Sequence, residues 1–427
     1  MPSKLPEKGA PDDPFVKNEK QTLYIVEPVA NGHRMVYVRR IARAAAASGL
    51  KITVVTLQKS IQHKSFKLMA AELQDRISIA FLRPTKLERF LIDSRRPTYS
   101  QLGWYLIFRS FSRMLPDDGE RRVFLVPQLD YCDKVVSLFG SPFGDYPWGG
   151  LVMQYKFHYT SMNALRPPEP GDAAKERAFG RLLKNKTLRK LFVIDELLFE
   201  YASRKFRESE ARLEYVADPV DMAGTLTKAE ARARLSIPLN KKVIMIYGAL
   251  HLRKGIPELI LAASTAGFPP NVVIFLAGSQ GDDLNELMRS RVVQQLKTKK
   301  VLIEADRYLD DEEEYAAFRA SDIVWVGYRQ FYGMSGVLVQ AGKAGLPVIS
   351  CQDGLIGWMT KKYKLGVTID VDSTQQIIQA INDLTTDEAA SSFYGAQGAA
   401  LAEGHTSEGF ATKIIYSLFH DSKPIEC

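Results

Sequence analysis

The chain has 427 residues, a length that suggests two or three domains. Hydrophobic residues make up 46% and charged residues 25%, an ordinary globular balance that excludes a disordered chain, a collagen and a coiled coil. The formal charge of +8 is a moderate basic excess. It fits a solvated surface, an anionic ligand or an anionic membrane surface, and with no zinc-finger or RNA-recognition spacing it gives little support to nucleic acid.

Residues 1–20 are polar and proline-rich, lack the apolar core of a signal peptide, and read as a disordered tail. No run of 18 apolar residues follows, so no membrane-spanning helix is expected. Cys132, Cys351 and Cys427 are odd in number and far apart, which is neither a disulfide framework nor a zinc site. That usage fits a reducing compartment. The expected location is cytoplasmic, with peripheral contact at the inner face of a membrane.

TLYIVEPV (22–29) reads as a strand, Asn31-Gly32-His33 as a turn, 35–48 as a helix closed by Gly49, and LKITVVTL (50–57) as a second strand. This is a βαβ unit, the building block of a parallel sheet. Further strands are expected at 77–82, 122–128, 149–157, 188–195 and 212–220. Helices are expected across 87–115 with a break at Pro97, and over 130–140, 172–185 and 197–206. Residues 221–240 read as a linker with a short helix, since Thr227 opens a capping box with Glu230. The rhythm then restarts. Strands at 242–250, 271–278, 300–305, 322–328, 347–351 and 365–370 alternate with helices at 255–266, 282–297, 311–321, 335–345 and 375–384. A last amphipathic helix spans 407–419. The reading is α/β, with two doubly wound domains over 21–220 and 241–404. The segment 405–427 forms a terminal helix and tail that pack back on the first domain.

Two stretches carry chemistry. YGMSGVLVQAGKAGLPVIS (332–350) sets Gly333, Ser335 and Gly336 at a helix start, where free N–H groups and the helix dipole favour an anion. YGALHLRKGIPELI (247–260) puts Arg253 and Lys254 beside another helix start, an unfavourable place for two cations unless an anion joins them. With NVVIFLAGSQGD and VLIEADRYLDDEEEYAAFRASDIVWVGY between them, these stretches occur in the order and spacing of one family. The chain resembles the GT-B glycosyltransferases of the family 4 type (group 1). The likeness is fullest over residues 240–385, and a weaker match covers 22–57.

The resemblance implies GT-B architecture, two Rossmann-like domains facing a cleft, and a nucleotide-sugar donor. Lys254 matches the lysine on the donor diphosphate. Gly333, Ser335, Gly336 and Val337 match the backbone that holds it, and Gln340 stands where a glutamate usually meets the ribose. Gly32 and His33 lie in the loop facing the donor, Gly278 ends the strand beside the base pocket, and Tyr308 borders the base. Two departures stand out. Tyr332 occupies a position that is usually a carboxylate, and Ala249 follows Gly248 where an arginine is usual, so Arg253 is expected to substitute. His158, at the expected end of a strand, is the first candidate for a catalytic group, with His33 second and Asp130 as a lesser one or a helix cap.

No metal or cofactor is expected. The acceptor is expected to be a glycan or a lipid-linked saccharide of a bacterial surface polysaccharide. Aromatic-basic stretches at 98–115 and 180–190 are candidates for an anionic leaflet. A non-catalytic GT-B subunit and a nucleotide-sugar epimerase are the alternatives.

Overall fold

The computed structural model describes residues 21–30 and 34–420. The tail at 1–20, the turn residues Gly32 and His33, and Cys427 lie outside the described residues.

Two parallel sheets form the frame. The first contains β1 (Gln21–Val26), β2 (Lys51–Thr56), β3 (Ile77–Phe81), β4 (Arg121–Val126), β5 (Trp148–Val152), β6 (Leu188–Val193) and β7 (Leu213–Tyr215), in the order β3-β2-β1-β4-β5-β6-β7. The second contains β8 (Lys242–Tyr247), β9 (Val272–Ala277), β10 (Leu302–Ala305), β11 (Ile323–Val326), β12 (Val348–Cys351) and β13 (Gly366–Ile369), in the order β10-β9-β8-β11-β12-β13. Helices on both faces bury the strands, which explains their continuous apolar runs. Strand order reverses between β1 and β4 in one sheet and between β8 and β11 in the other. At such a reversal the loops leave in opposite directions and open a crevice at the carboxyl ends of the strands.

Several local expectations change. Thr227 and Glu230 do form a capping box, but the helix it starts, Lys228–Arg234, belongs to the second domain rather than to a linker. Lys228 and Arg232 both pair with Asp322, the residue before β11, at 2.6 and 2.7 Å. The expected strand 149–157 stops at Val152, because the next backbone groups, Met153 N and Gln154 N, donate to the Asp130 carboxylate instead of a neighbouring strand. Asp130 is therefore a brace between two loops and not a helix cap.

The helix Ser407–Phe419 lies on the helix Arg34–Ala47 of the first domain. Phe410, Ile414, Ile415 and Leu418 join the core formed by Leu23, Ile25, Val38 and Ile41. The helices Lys64–Leu73, Gly354–Lys362 and Glu388–Glu403 are absent from the sequence reading, and the residues of the last are small and weakly patterned. Their smallness is what they contribute. A Cβ on Gly398 would stand 2.9 Å from Gly342 Cα, and one on Gly395 would stand 2.2 Å from Gly345 O. This helix presses backbone to backbone on the helix Gly336–Lys343 and fixes its direction.

Direct hydrogen bonds also join the two domains. Gly354 N donates to Leu165 O at 2.9 Å, and Lys362 and Tyr363 of the second domain both reach Glu196 of the first. A cavity of about 300 Å³ opens there between Asn163, Leu165, Gln352, Trp358 and Lys361.

Candidate functional site

β8 ends at Tyr247, and the chain turns sharply through Gly248 (φ +96) into a short turn at Leu252–Lys254, then Gly255 (φ +71). Two close approaches hold this loop. A Cβ on Gly255 would stand 2.1 Å from Gly327 O, and one on Gly278 would stand 2.0 Å from Gly248 O. Gly278 is thus buried and shapes the loop from behind. Further bonds pin the loop to β11 and the segment after it: Trp325 Nε1 donates to Lys254 O at 2.8 Å, and Arg329 N donates to Arg253 O at 2.7 Å.

Lys254 is only 5% exposed. Its amine folds back to donate to Tyr247 O and stands 5.4 Å from the Tyr328 ring. Burial, and secondarily the Arg253 charge, push its pKa down to about 8. Arg253 is exposed, with its guanidinium 5.0 Å from the Phe331 ring. The only bond from the Lys254 amine among the described residues goes to that carbonyl and not to a carboxylate, so a cation has been taken out of water without an anion.

An anion has a place to go. Tyr328, over which Lys254 lies, also neighbours Ser335 at the start of the helix Gly336–Lys343. Ser335 is buried and makes no capping bond, so the first N–H groups of that helix are uncapped by its side chain. Gly333 and Gly336 are half-buried, and a Cβ on either would find nothing nearer than 3.9 Å. At Gly336 that nearest atom is Asp218 Oδ2, in the segment after β7, whose other oxygen accepts from Tyr37 OH. These two glycines open onto space, unlike Gly255 and Gly278, which are packed on backbone. Tyr332 and Val337 are half-buried beside them.

Gln340, one turn into the helix, donates from Nε2 to Glu314 Oε1 at 2.8 Å, and Tyr247 OH donates to the other oxygen of Glu314. Tyr308 is 76% exposed in the loop after β10. Sequence reasoning misses Glu314. It sits in an acidic run, DDEEE, that reads as an ordinary helix start.

In the first domain the candidate histidine fails. His158 is fully buried. Its Nε2 lies 3.1 Å from Asp195 Oδ2, an oxygen that also accepts from Tyr159 OH at 2.6 Å, while Asp195 Oδ1 caps the helix Glu196–Lys205. It is enclosed in the core, and its Nδ1 has no partner among the described residues. What the fold brings to the first domain's strand-order reversal is Glu27, after β1, and Tyr131, after β4. Glu27 is buried. Val29 N and Arg34 approach its Oε1, but among the described residues Oε2 has no partner, and neither does the Tyr131 hydroxyl. Burial pushes the Glu27 carboxyl up to about 8, and burial with the neighbouring Asp133 pushes Asp130 up to about 7. A carboxyl kept neutral near neutral pH can donate a proton or a hydrogen bond.

Known proteins resemble this chain in sequence or in fold. The family model described as glycosyl transferases group 1 matches residues 227–399. That match spans 173 of the 427 residues. A D-inositol 3-phosphate glycosyltransferase of Corynebacterium urealyticum is 28% identical over 166 residues, which is 37% of this chain and 38% of that enzyme. The aligned stretch is thus well under half of that relative. Over nearly its whole length the chain is similar to sucrose-phosphate synthase from Thermosynechococcus elongatus, at a TM-score of 0.63 and 15% identity, covering 92% of this chain and 97% of that one. It is likewise similar to Anabaena Alr3699/HepE, solved in complex with UDP, at 0.65 and 14%, covering 93% and 99%. WaaG, a glycosyltransferase involved in lipopolysaccharide biosynthesis, gives 0.60 and 13%, covering 93% and 99%. The fold is GT-B. The match begins at the capping-box residue Thr227, in agreement with the helix Lys228–Arg234 belonging to the second domain.

Proposed function

We propose that this protein is a glycosyltransferase that moves a sugar from a nucleotide-sugar donor to a hydroxyl of a glycan or lipid-linked saccharide. The observation that carries this reading is the open helix start at Gly333 and Gly336, with a buried Lys254 that lacks a carboxylate partner facing the same Tyr328. A diphosphate placed there accepts from the helix N–H groups, which the dipole reinforces, and pairs with Lys254 and Arg253. As the bond to the sugar breaks, negative charge grows on the leaving diphosphate, and donors already in place stabilise it without reorganising. The proposed reaction needs no metal, since two cations and a helix end supply the positive charge. The solved HepE complexes with UDP and with UDP-glucose are consistent with this kind of donor. In this reading the acceptor hydroxyl enters from the first domain, where Glu27 and Tyr131 hold unpartnered polar atoms at the strand-order reversal.

The proposal extends to bacterial surface polysaccharide synthesis in the cytoplasm, at the inner face of the membrane. The aromatics expected at that surface do not support it: Trp104, Tyr105, Phe108 and Phe111 are buried in the core. The support lies on the preceding helix, Lys86–Ile92, where Leu87 and Phe90 are 64% and 73% exposed among Lys86 and Arg89.

A panel of nucleotide sugars, each with and without saccharide acceptors, tests the reading. Release of nucleoside diphosphate that depends on acceptor is the expected result. Conversion of the donor alone would favour an epimerase, and no turnover with any donor would favour a non-catalytic subunit.

A further inference from the structure

Glu314 joins three separate elements of the crevice. It lies in the first turn of the helix Asp311–Ala320. One of its oxygens accepts from Gln340 on the uncapped helix, and the other accepts from Tyr247 at the carboxyl end of β8. The side chain is half-buried, neither enclosed in the core nor free in solvent. Two neutral donors orient this carboxyl group, and each of its oxygens can accept more than one hydrogen bond. A pair of neighbouring hydroxyls is one chemical complement of such a group.

Position narrows the ligand further. Gln340 lies four residues past Gly336, so it stands about 6 Å along the axis at 1.5 Å per residue. That is about the reach from the phosphate nearer the sugar of a nucleoside diphosphate to the ribose hydroxyls. We infer that Glu314, held by Gln340 and Tyr247, is the carboxylate that receives the vicinal hydroxyls of the donor's ribose. The inference rests on the donor site proposed above. It also accounts for a glutamine at 340: with the charge supplied from 314, a second carboxylate at 340 would be repelled, whereas an amide donates to it.

The test compares uridine, guanosine and adenosine diphosphates with their 2′,3′-dideoxy forms by calorimetric titration. Wild type should prefer the ribose form of the nucleotide it binds by about 10- to 100-fold, the usual value of hydrogen bonds to a charged group. Glu314→Gln should bring that ratio to within about threefold of unity while leaving the dideoxy form bound as before. Gln340→Glu alone should weaken the ribose form, and the double variant Glu314→Gln/Gln340→Glu should recover the preference. A merely structural Glu314 would weaken both forms equally and leave the ratio unchanged, which would overturn the inference while leaving the donor site standing. If wild type binds none of the nucleotides, the donor-site reading falls first, and the inference falls with it.

Discussion

Lys254→Met should cost about 100-fold or more in nucleoside diphosphate affinity and at the same time stabilise the free protein. The two effects share one cause. A buried ammonium without an anion is a destabilised group, as its lowered pKa of about 8 records. In the unfolded chain the same lysine titrates at its ordinary, higher value. Between those two values the unfolded state binds more protons, so stability rises with pH there and the penalty is greatest below pH 8. Methionine keeps the apolar stem and removes the charge. At pH 7 the variant should therefore be more stable by roughly 1–3 kcal/mol, a difference that shrinks as pH climbs past 8 toward 10. Affinity should follow the same group in the wild type. It should hold below pH 8 and weaken above it, as the free lysine loses its proton. Denaturant melts at pH 7 and pH 10 check the first half, and titrations across that range check the second. A Lys254→Met variant that loses stability at pH 7 would mean that the lysine is paired and structural.

Gly278→Ala should be among the most damaging of the small substitutions, costing about 3 kcal/mol or more. The new methyl would have to occupy a point 2.0 Å from Gly248 O at a φ of +139, and that obstacle is backbone, which cannot swing aside. The loop that carries Lys254 is then displaced, so whatever folds should bind nucleotide poorly. Gly333→Ala should behave in the opposite way. Nothing lies within 3.9 Å of its Cβ position, so stability should change by less than about 0.5 kcal/mol, while the space taken from a diphosphate should lower affinity. Urea unfolding of both variants beside a nucleotide titration separates a glycine that lets backbone pack from one that leaves room for a ligand.

The sequence announces the strands and helices because parallel strands covered on both faces must be apolar throughout, and their alternation with helices repeats in the second half. It announces the helix start at 333–336 and Lys254 for a similar reason: glycines and cations at a strand-to-helix turn are unusual enough to need an explanation. It does not announce His158 correctly. A strand end at that residue rests on the apolar content of 153–157, and the backbone there bonds to Asp130 instead. Glu27 is hidden because it directly follows an apolar strand and reads as that strand's end. Glu314 is hidden inside an acidic run, since only the fold reveals that Tyr247 and Gln340, 67 and 26 residues away, converge on it. The helix Glu388–Glu403 escapes notice because it packs through glycines rather than through an apolar stripe.

The measurement that bears most directly on the account is calorimetric titration of the wild-type chain with UDP, GDP and ADP at pH 7. At least one should bind with one site per chain, and that binding should disappear in Lys254→Met. No binding by any of the three, or binding of equal strength in the variant, would contradict a diphosphate site between Lys254 and the helix that begins at Gly336.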